Sequence, residues 1–318
     1  MTHTSTRSLA ALFALVFAAC GDATLDAVLA PEGGATARVL AAANAQTNVT
    51  PTGKGIGTLA TANVPRTRYK IEYQTWGRIM PGASNVYFIW YGNWSSDPAV
   101  NILTDLVTNL GGSSYFGIGT RYSDVNGEAP NGGLVFGGSV YDLYSRGATL
   151  SDTDIRDIVI HQLDNWGLPQ DTRGIYVVLA TPDVWASSGL DVSYCAFHDF
   201  TRYYGTNLAY VFVGGPARAP SLCSPQQLSP NGNYNADAMA SLLAAELFNS
   251  VTDPDRTAWY DRLGLEPADK CAWNYGTTYQ TANGARANIK LGQRDYLLQQ
   301  LWVPGKGAGY CALAAPSP

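Results

Sequence analysis

The sequence predicts an α/β domain of three layers, a mixed β-sheet with flanking helices. Three observations predict it. From about residue 66 onward, short runs of β-branched and aromatic residues alternate with segments of helical periodicity. Two of those runs are apolar at every position, the pattern of strands covered on both faces. A later run arrives without a full crossover helix ahead of it, so the sheet should be parallel in its first part and mixed beyond.

The composition agrees with a folded domain of this size. Hydrophobic residues at 46 %, charged residues at 14 %, 19 Tyr and 8 Trp in 318 residues exclude a disordered, solvated chain. A net charge of -5, with 20 basic residues scattered among 25 carboxylates, excludes nucleic acid as a partner.

Each element can be justified in turn. Residues 1–20, MTHTSTRSLAALFALVFAAC, hold one Arg, no acid and an apolar run from Leu9 to Ala19. That run is too short to span a bilayer and fits a signal peptide. Residues 21–65 are rich in Ala, Thr, Gly and Pro without a sustained period, and read as a flexible tether to a domain over 66–318.

Val86 to Tyr91 (VYFIWY) is a buried strand that stops at Gly92-Asn93. A helix follows, capped by Ser96 or Asp97, with Pro98 in its first turn and Val100, Leu103, Leu106 and Val107 on one face, ending at Gly111-Gly112. Leu134 to Tyr141 is the second strand. Ser151-Asp152-Thr153-Asp154 opens a second helix, with Ile155, Ile158, Val159 and Leu163 facing the core. Gly174 to Leu179 (GIYVVL) should be central in the sheet, and Leu208 to Val213 (LAYVFV) adds a fourth strand. A long helix runs from Ala236 to Val251 after the turn Pro230-Asn231-Gly232.

Five cysteines become an even set if Cys20 belongs to export. Cys195, Cys223, Cys271 and Cys311 then allow three pairings. Cys195 with Cys223 and Cys271 with Cys311 are favoured because each closes a local loop. Short C-x-x-C spacings, which a cysteine zinc site would want, do not occur.

Phe17-Ala18-Ala19-Cys20 resembles the lipobox of bacterial lipoproteins, which implies acylation of Cys20, a membrane partner through that lipid, and a place in a bacterial cell envelope or outside the cell.

A second resemblance covers residues 66 to 312. Its blocks are Ile89 to Trp94 (IWYGNW), Tyr144 to Gly147, Gly174 to Val184 (GIYVVLATPDV), Cys195 to His198 (CAFH), Ala209 to Gly214, and Ser229 to Pro254 (SPNGNYNADAMASLLAAELFNSVTDP). Together they resemble the EXORDIUM or phosphate-induced protein 1 family, which implies secretion and a cell-wall-associated role.

Within the last block, Glu246 to Pro254 (ELFNSVTDP), followed by Trp259 and Asp269-Lys270-Cys271, looks like the helix of exported proteins related to zinc metallopeptidases, which implies a zincin-related fold. Such a helix places ligands four residues apart on one face, with a glutamate beside the first acting as base on zinc-bound water. Glu246 keeps the base position, but the ligand positions hold Ala245, which has no donor, and Asn249, a poor zinc ligand. Neither a metal nor any other cofactor is therefore implied.

At about 100° per residue, Glu246 falls among Met239, Leu242, Leu243 and Leu247, where a carboxylate needs a partner and its pKa should rise. Two roles stay open for it, a structural remnant and a working acid or base. Of the histidines left after export, His161 falls on the outer side of its helix. His198 lies beside an aromatic cluster and a cysteine, as a hydrogen-bonded structural residue or as a site partner of Glu246.

The leading expectation is a non-catalytic, membrane-tethered binding module whose partner is a cell-wall glycan or an extracellular protein. The alternatives are a divergent hydrolase using Glu246 with His198, and perhaps Asp253 or Asp261, and a glycan-binding module using tryptophans such as Trp90, Trp94, Trp185, Trp259, Trp273 and Trp302. Oligomeric state is not readable from the sequence.

Overall fold

A computed structural model describes residues 49–62, 66–305 and 307–316. The expected signal segment, Cys20 and most of the expected tether lie outside them.

The sheet has five strands: β1 (Gly82–Tyr91), β2 (Pro130–Asp142), β3 (Gly174–Ala180), β4 (Ala196–Tyr203) and β5 (Thr206–Val213). Their order is β2-β1-β3-β5-β4. The first four in that order are parallel, and β4 joins β5 antiparallel. The mixed sheet, parallel in its first part, is thus the one the sequence predicts. The strand β4 is the element that the sequence reading does not separate out. Its residues alternate Phe197, Asp199 with Ala196, His198, and the two polar members hide a half-buried edge strand behind a loop-like composition.

Among the described residues, the helices of twelve or more residues that complete the layers are α1 (Ala99–Leu110), α2 (Asp152–Asp164) and α3 (Tyr234–Thr252). Successive residues of a strand point to opposite faces, and the sheet sorts its side chains accordingly. Phe88, Trp90, Val177, Leu179, Val211 and Val213 form one core with α1 and α3. Tyr87, Ile89, Tyr176, Val178, Tyr210 and Phe212 form a second with Ile155, Ile158 and Val159 of α2.

Caps fall where short polar residues can satisfy free N–H groups. Ser151 makes a reciprocal capping box with Asp154, Asp97 Oδ1 accepts from Ala99 N at 2.8 Å, and Asn233 accepts from Ala236 N at 3.0 Å. The last cap starts α3 two residues before the expected Ala236.

Two disulfides form, Cys195 to Cys223 and Cys271 to Cys311, the pairing that closes local loops. The packed chain also starts before residue 66, inside the stretch read as tether. Ile56 and Thr58 are buried, and His198 N donates to Gly53 O at 3.2 Å, so Val49 to Ala62 forms a strap along the free edge of β4.

Candidate functional site

Alternation along β4 turns His198 toward α3, while the phase of α3 turns Glu246 toward the sheet. The two meet with His198 Nδ1 at 3.1 Å from Glu246 Oε2. The other ring nitrogen, Nε2, faces the carbonyl of Asp253 at 3.3 Å and Glu266 Oε1 at 3.2 Å. Both nitrogens face oxygens, so the imidazolium can donate from each, and a neutral ring is satisfied as well when Glu246 or Glu266 keeps its proton and donates to it. His198, Glu246 and Glu266 are each 0 % exposed.

The electrostatics follow from that burial. Burial alone would lower the His198 pKa, but Glu266 and Glu246 outweigh it and hold the imidazole well above its ordinary value. Burial pushes Glu246 up to about 7 against the opposing pull of His198, and raises Glu266 well above the usual carboxylate range. One imidazolium thus sits between two carboxyl groups, of which at least one favours its proton.

Around this centre the neighbouring polar groups are tied to the backbone. Asp253 Oδ1 accepts from Thr257 N and Ala258 N, closing the turn after α3, and burial raises its pKa to about 7. Asn249 is bound at both ends of its amide: Nδ2 donates to Asp269 Oδ1 at 3.0 Å and Oδ1 accepts from Ala268 N at 2.8 Å. Asp269 Oδ2 in turn accepts from Glu266 N at 2.9 Å. Asn249 therefore clamps α3 to the 266–269 turn, and that turn delivers Glu266 to His198.

The strap closes the remaining side. Gly53 has φ +74°, and a Cβ there would lie 2.0 Å from the His198 carbonyl oxygen; a Cβ on Gly55 would lie 1.9 Å from Asp269 Oδ2. Only glycine fits this close to the centre. Arg66 holds the strap's turn through Gly55 O, Ile56 O at 3.2 Å and Thr61 Oγ1 at 3.0 Å. Lys54 pins it to the domain through Asp152 Oδ2 at 2.6 Å.

The structure thus brings together two residues singled out from sequence, His198 and Glu246, and adds Glu266, which no motif signalled. Asp253 joins the rim as a turn-forming residue. Asp261 does not join: it pairs with buried Lys270 Nζ at 2.6 Å elsewhere. His161 is exposed on α2. Ala245 sits in the apolar core, and Asn249 is spent on structure. Among the described residues no group of three or more His, Cys, Asp or Glu is arranged to hold a metal ion. Trp90, Trp94, Trp273 and Trp302 are core residues, whereas Trp76 and Trp166, outside the set proposed for stacking, are 85 % and 91 % exposed.

A family model described as "Phosphate-induced protein 1 conserved region" matches residues 71–311. Protein EXORDIUM-like 3 of Arabidopsis thaliana is 28 % identical over 281 residues, covering 76 % of this chain and 81 % of its own length. Protein EXORDIUM-like 5 of the same plant is 26 % identical over 263 residues, with 69 % and 71 % covered. Protein EXORDIUM, also of Arabidopsis thaliana, is 25 % identical over 236 residues, with 63 % and 72 % covered. No solved structure matches significantly, and the expected relationship to zinc peptidases is not shown. The expected bacterial-envelope lipoprotein is corrected by these relatives, which are plant proteins, while the two disulfides fit an exported chain.

Proposed function

This chain belongs to the phosphate-induced protein 1 family, and on that premise we propose that it is an exported, non-catalytic binding protein whose peptidase-like helix serves the fold. One observation carries the reading: the centre of His198, Glu246 and Glu266 is wholly buried beneath the strap. A general acid or base must come within hydrogen-bond reach of the proton it moves, directly or through one water. Here Nδ1 is paired with Glu246 Oε2 and Nε2 faces the Asp253 carbonyl and Glu266 Oε1, while Glu246 Oε1 and both Glu266 oxygens are buried without a hydrogen-bond partner.

The hydrolase reading has one observation in its favour, the Glu246 pKa of about 7, where an acid–base group would be poised. Asp253 reaches the same value through the same burial while capping a turn. The shift therefore follows from enclosure and does not single Glu246 out.

The test is metal analysis and turnover on purified protein. The reading expects no stoichiometric zinc and no peptide or ester hydrolysis that depends on Glu246. Zinc bound one to one and lost in His198→Ala or Glu246→Ala would overturn it, as would hydrolysis abolished by Glu246→Gln.

A further inference from the structure

A different part of the sheet offers an open cleft. The chain leaves β1 toward α1 on one face and leaves β2 toward α2 on the other, so the two exit loops diverge between neighbouring parallel strands. In open α/β sheets ligands bind in crevices beyond the carboxyl ends of the strands. Here a cleft of about 370 Å³ lies there, lined by Gly92, Asn93, Trp94 and Ser95 from one loop and by Tyr141 and Leu143 from the end of β2.

We propose that this cleft binds a neutral saccharide, with Tyr141 as its stacking platform and Asn93 as its polar contact. The inference rests on the binding-protein reading above and gives it a site and a ligand class.

The lining argues for that chemistry. Tyr141 is 61 % exposed, and its ring backs onto buried Trp90 at 6.4 Å and 28°, a supported aromatic face turned outward. Leu143 beside it is 73 % exposed. Large apolar side chains left open in a concave site mark a ligand surface more than a folding need. Asn93 spends its Oδ1 on Ser95 N and Oγ, which leaves its amide N–H groups as donors at an exposed position. Tyr144 holds the two walls together, accepting from Asn93 N at 3.3 Å and donating to Asp183 Oδ2 at 2.6 Å.

Charge excludes anionic ligands. The N-terminus of α1 beside the cleft is already occupied by Asp97, and no Lys or Arg lines the cleft. A phosphate or polyuronate would meet no cation in the lining. A sugar ring has an apolar face for Tyr141 and hydroxyls for Asn93 and Ser95. Another open depression, beside Arg78 and Arg202, is partly filled by the Arg78–Asp255 ion pair and lacks an aromatic face.

Affinity electrophoresis through gels containing a neutral β-glucan, xylan or galactomannan tests this, with polygalacturonate as the anionic control. The full chain should be retarded by at least one neutral polymer and not by polygalacturonate. Tyr141→Ala should weaken retardation about tenfold, Tyr141→Phe should keep it, and Trp166→Ala should leave it unchanged.

Retardation that survives Tyr141→Ala, or is lost with Trp166→Ala, overturns the site while leaving a binding protein. Retardation by none of the neutral polymers overturns the saccharide class. Release of reducing ends from a retarding polymer overturns the non-catalytic reading and leaves the cleft in place.

Discussion

The backbone N–H of His198 donates to the carbonyl of Gly53 at 3.2 Å, so the edge strand that carries the buried histidine is covered by a segment from far upstream in the chain. An uncovered edge strand offers unpaired backbone groups to water and to other chains. Here the cover does a second job, because its glycines reach places where a side chain would displace the carbonyl of His198 or the carboxylate of Asp269.

The strap can therefore be lifted by one methyl-bearing residue. Gly53→Val combines a left-handed φ with a Cβ 2.0 Å from the His198 carbonyl, and should cost about 2–3 kcal/mol. Lys54→Ala removes a half-exposed ion pair with Asp152 and should cost under about 1 kcal/mol. Thermal unfolding measures the first quantity, and hydrogen exchange at the His198 amide shows whether the seal opens. Gly53→Val with wild-type stability and a protected amide would mean that the strap is not the seal.

Stability should fall as pH rises from about 5 to 8. Glu246 titrates near 7 in the fold against an ordinary 4.5, so between those values the folded form keeps a proton that the unfolded chain has lost. His198 is held well above 6.5, so above that pH the fold again binds the extra proton. Both differences favour the unfolded chain as pH rises. On the acid side, Asp154, Asp171 and Asp183 have lowered pKa values, so their contribution is present above about pH 3.8 and lost below it. Tm measured from pH 4 to 9 should peak near 5, and Glu246→Gln, which removes the carboxyl that titrates there, should flatten the fall. A Tm that climbs from 5 to 8 would contradict the assignment.

Much of this frame is legible in the sequence because the sheet's inner strands carry no ambiguity. Val86 to Tyr91 and Gly174 to Leu179 are apolar at every position, and nothing but a doubly covered strand suits them in this alternation. The histidine strand is not legible in the same way. Its alternating polar residues signal a loop as readily as an edge, and the antiparallel pairing with β5, from Ala196 opposite Val213 to Tyr203 opposite Thr206, is what distinguishes them. Glu266 is invisible for a different reason. It lies outside any helix or strand, with no fixed spacing to His198 or Glu246, and reaches them through the Asn249–Asp269 bonds that no local pattern encodes. Glu246 itself is readable, since a carboxylate in the phase of Leu242, Leu243 and Leu247 must be buried.

That clamp gives a third expectation. Asn249→Ala leaves the Ala268 N–H without its acceptor and Asp269 Oδ1 without its donor, both buried, and should cost about 2–4 kcal/mol. Equilibrium urea unfolding measures it. A ligand position kept free for metal would tolerate this change with little loss.

The sharpest separation of a structural centre from an idle catalytic one comes from Glu246. Residues held for catalysis are commonly strained or poorly paired, so replacing them often leaves stability unchanged or raises it. A buried partner of an imidazolium behaves in the opposite way, because its removal strands a charge. Glu246→Ala should therefore destabilise by about 3–5 kcal/mol, leaving His198 Nδ1–H without an acceptor. Glu246→Gln keeps an oxygen opposite that N–H and gives up only the charge, while Glu266 still faces Nε2 at 3.2 Å, so its cost should stay near 1–2 kcal/mol. Denaturant midpoints of the two variants, read beside the wild type, should fall in that order. If Glu246→Ala is as stable as the wild type, the pair contributes nothing to the fold and the structural assignment of the centre fails.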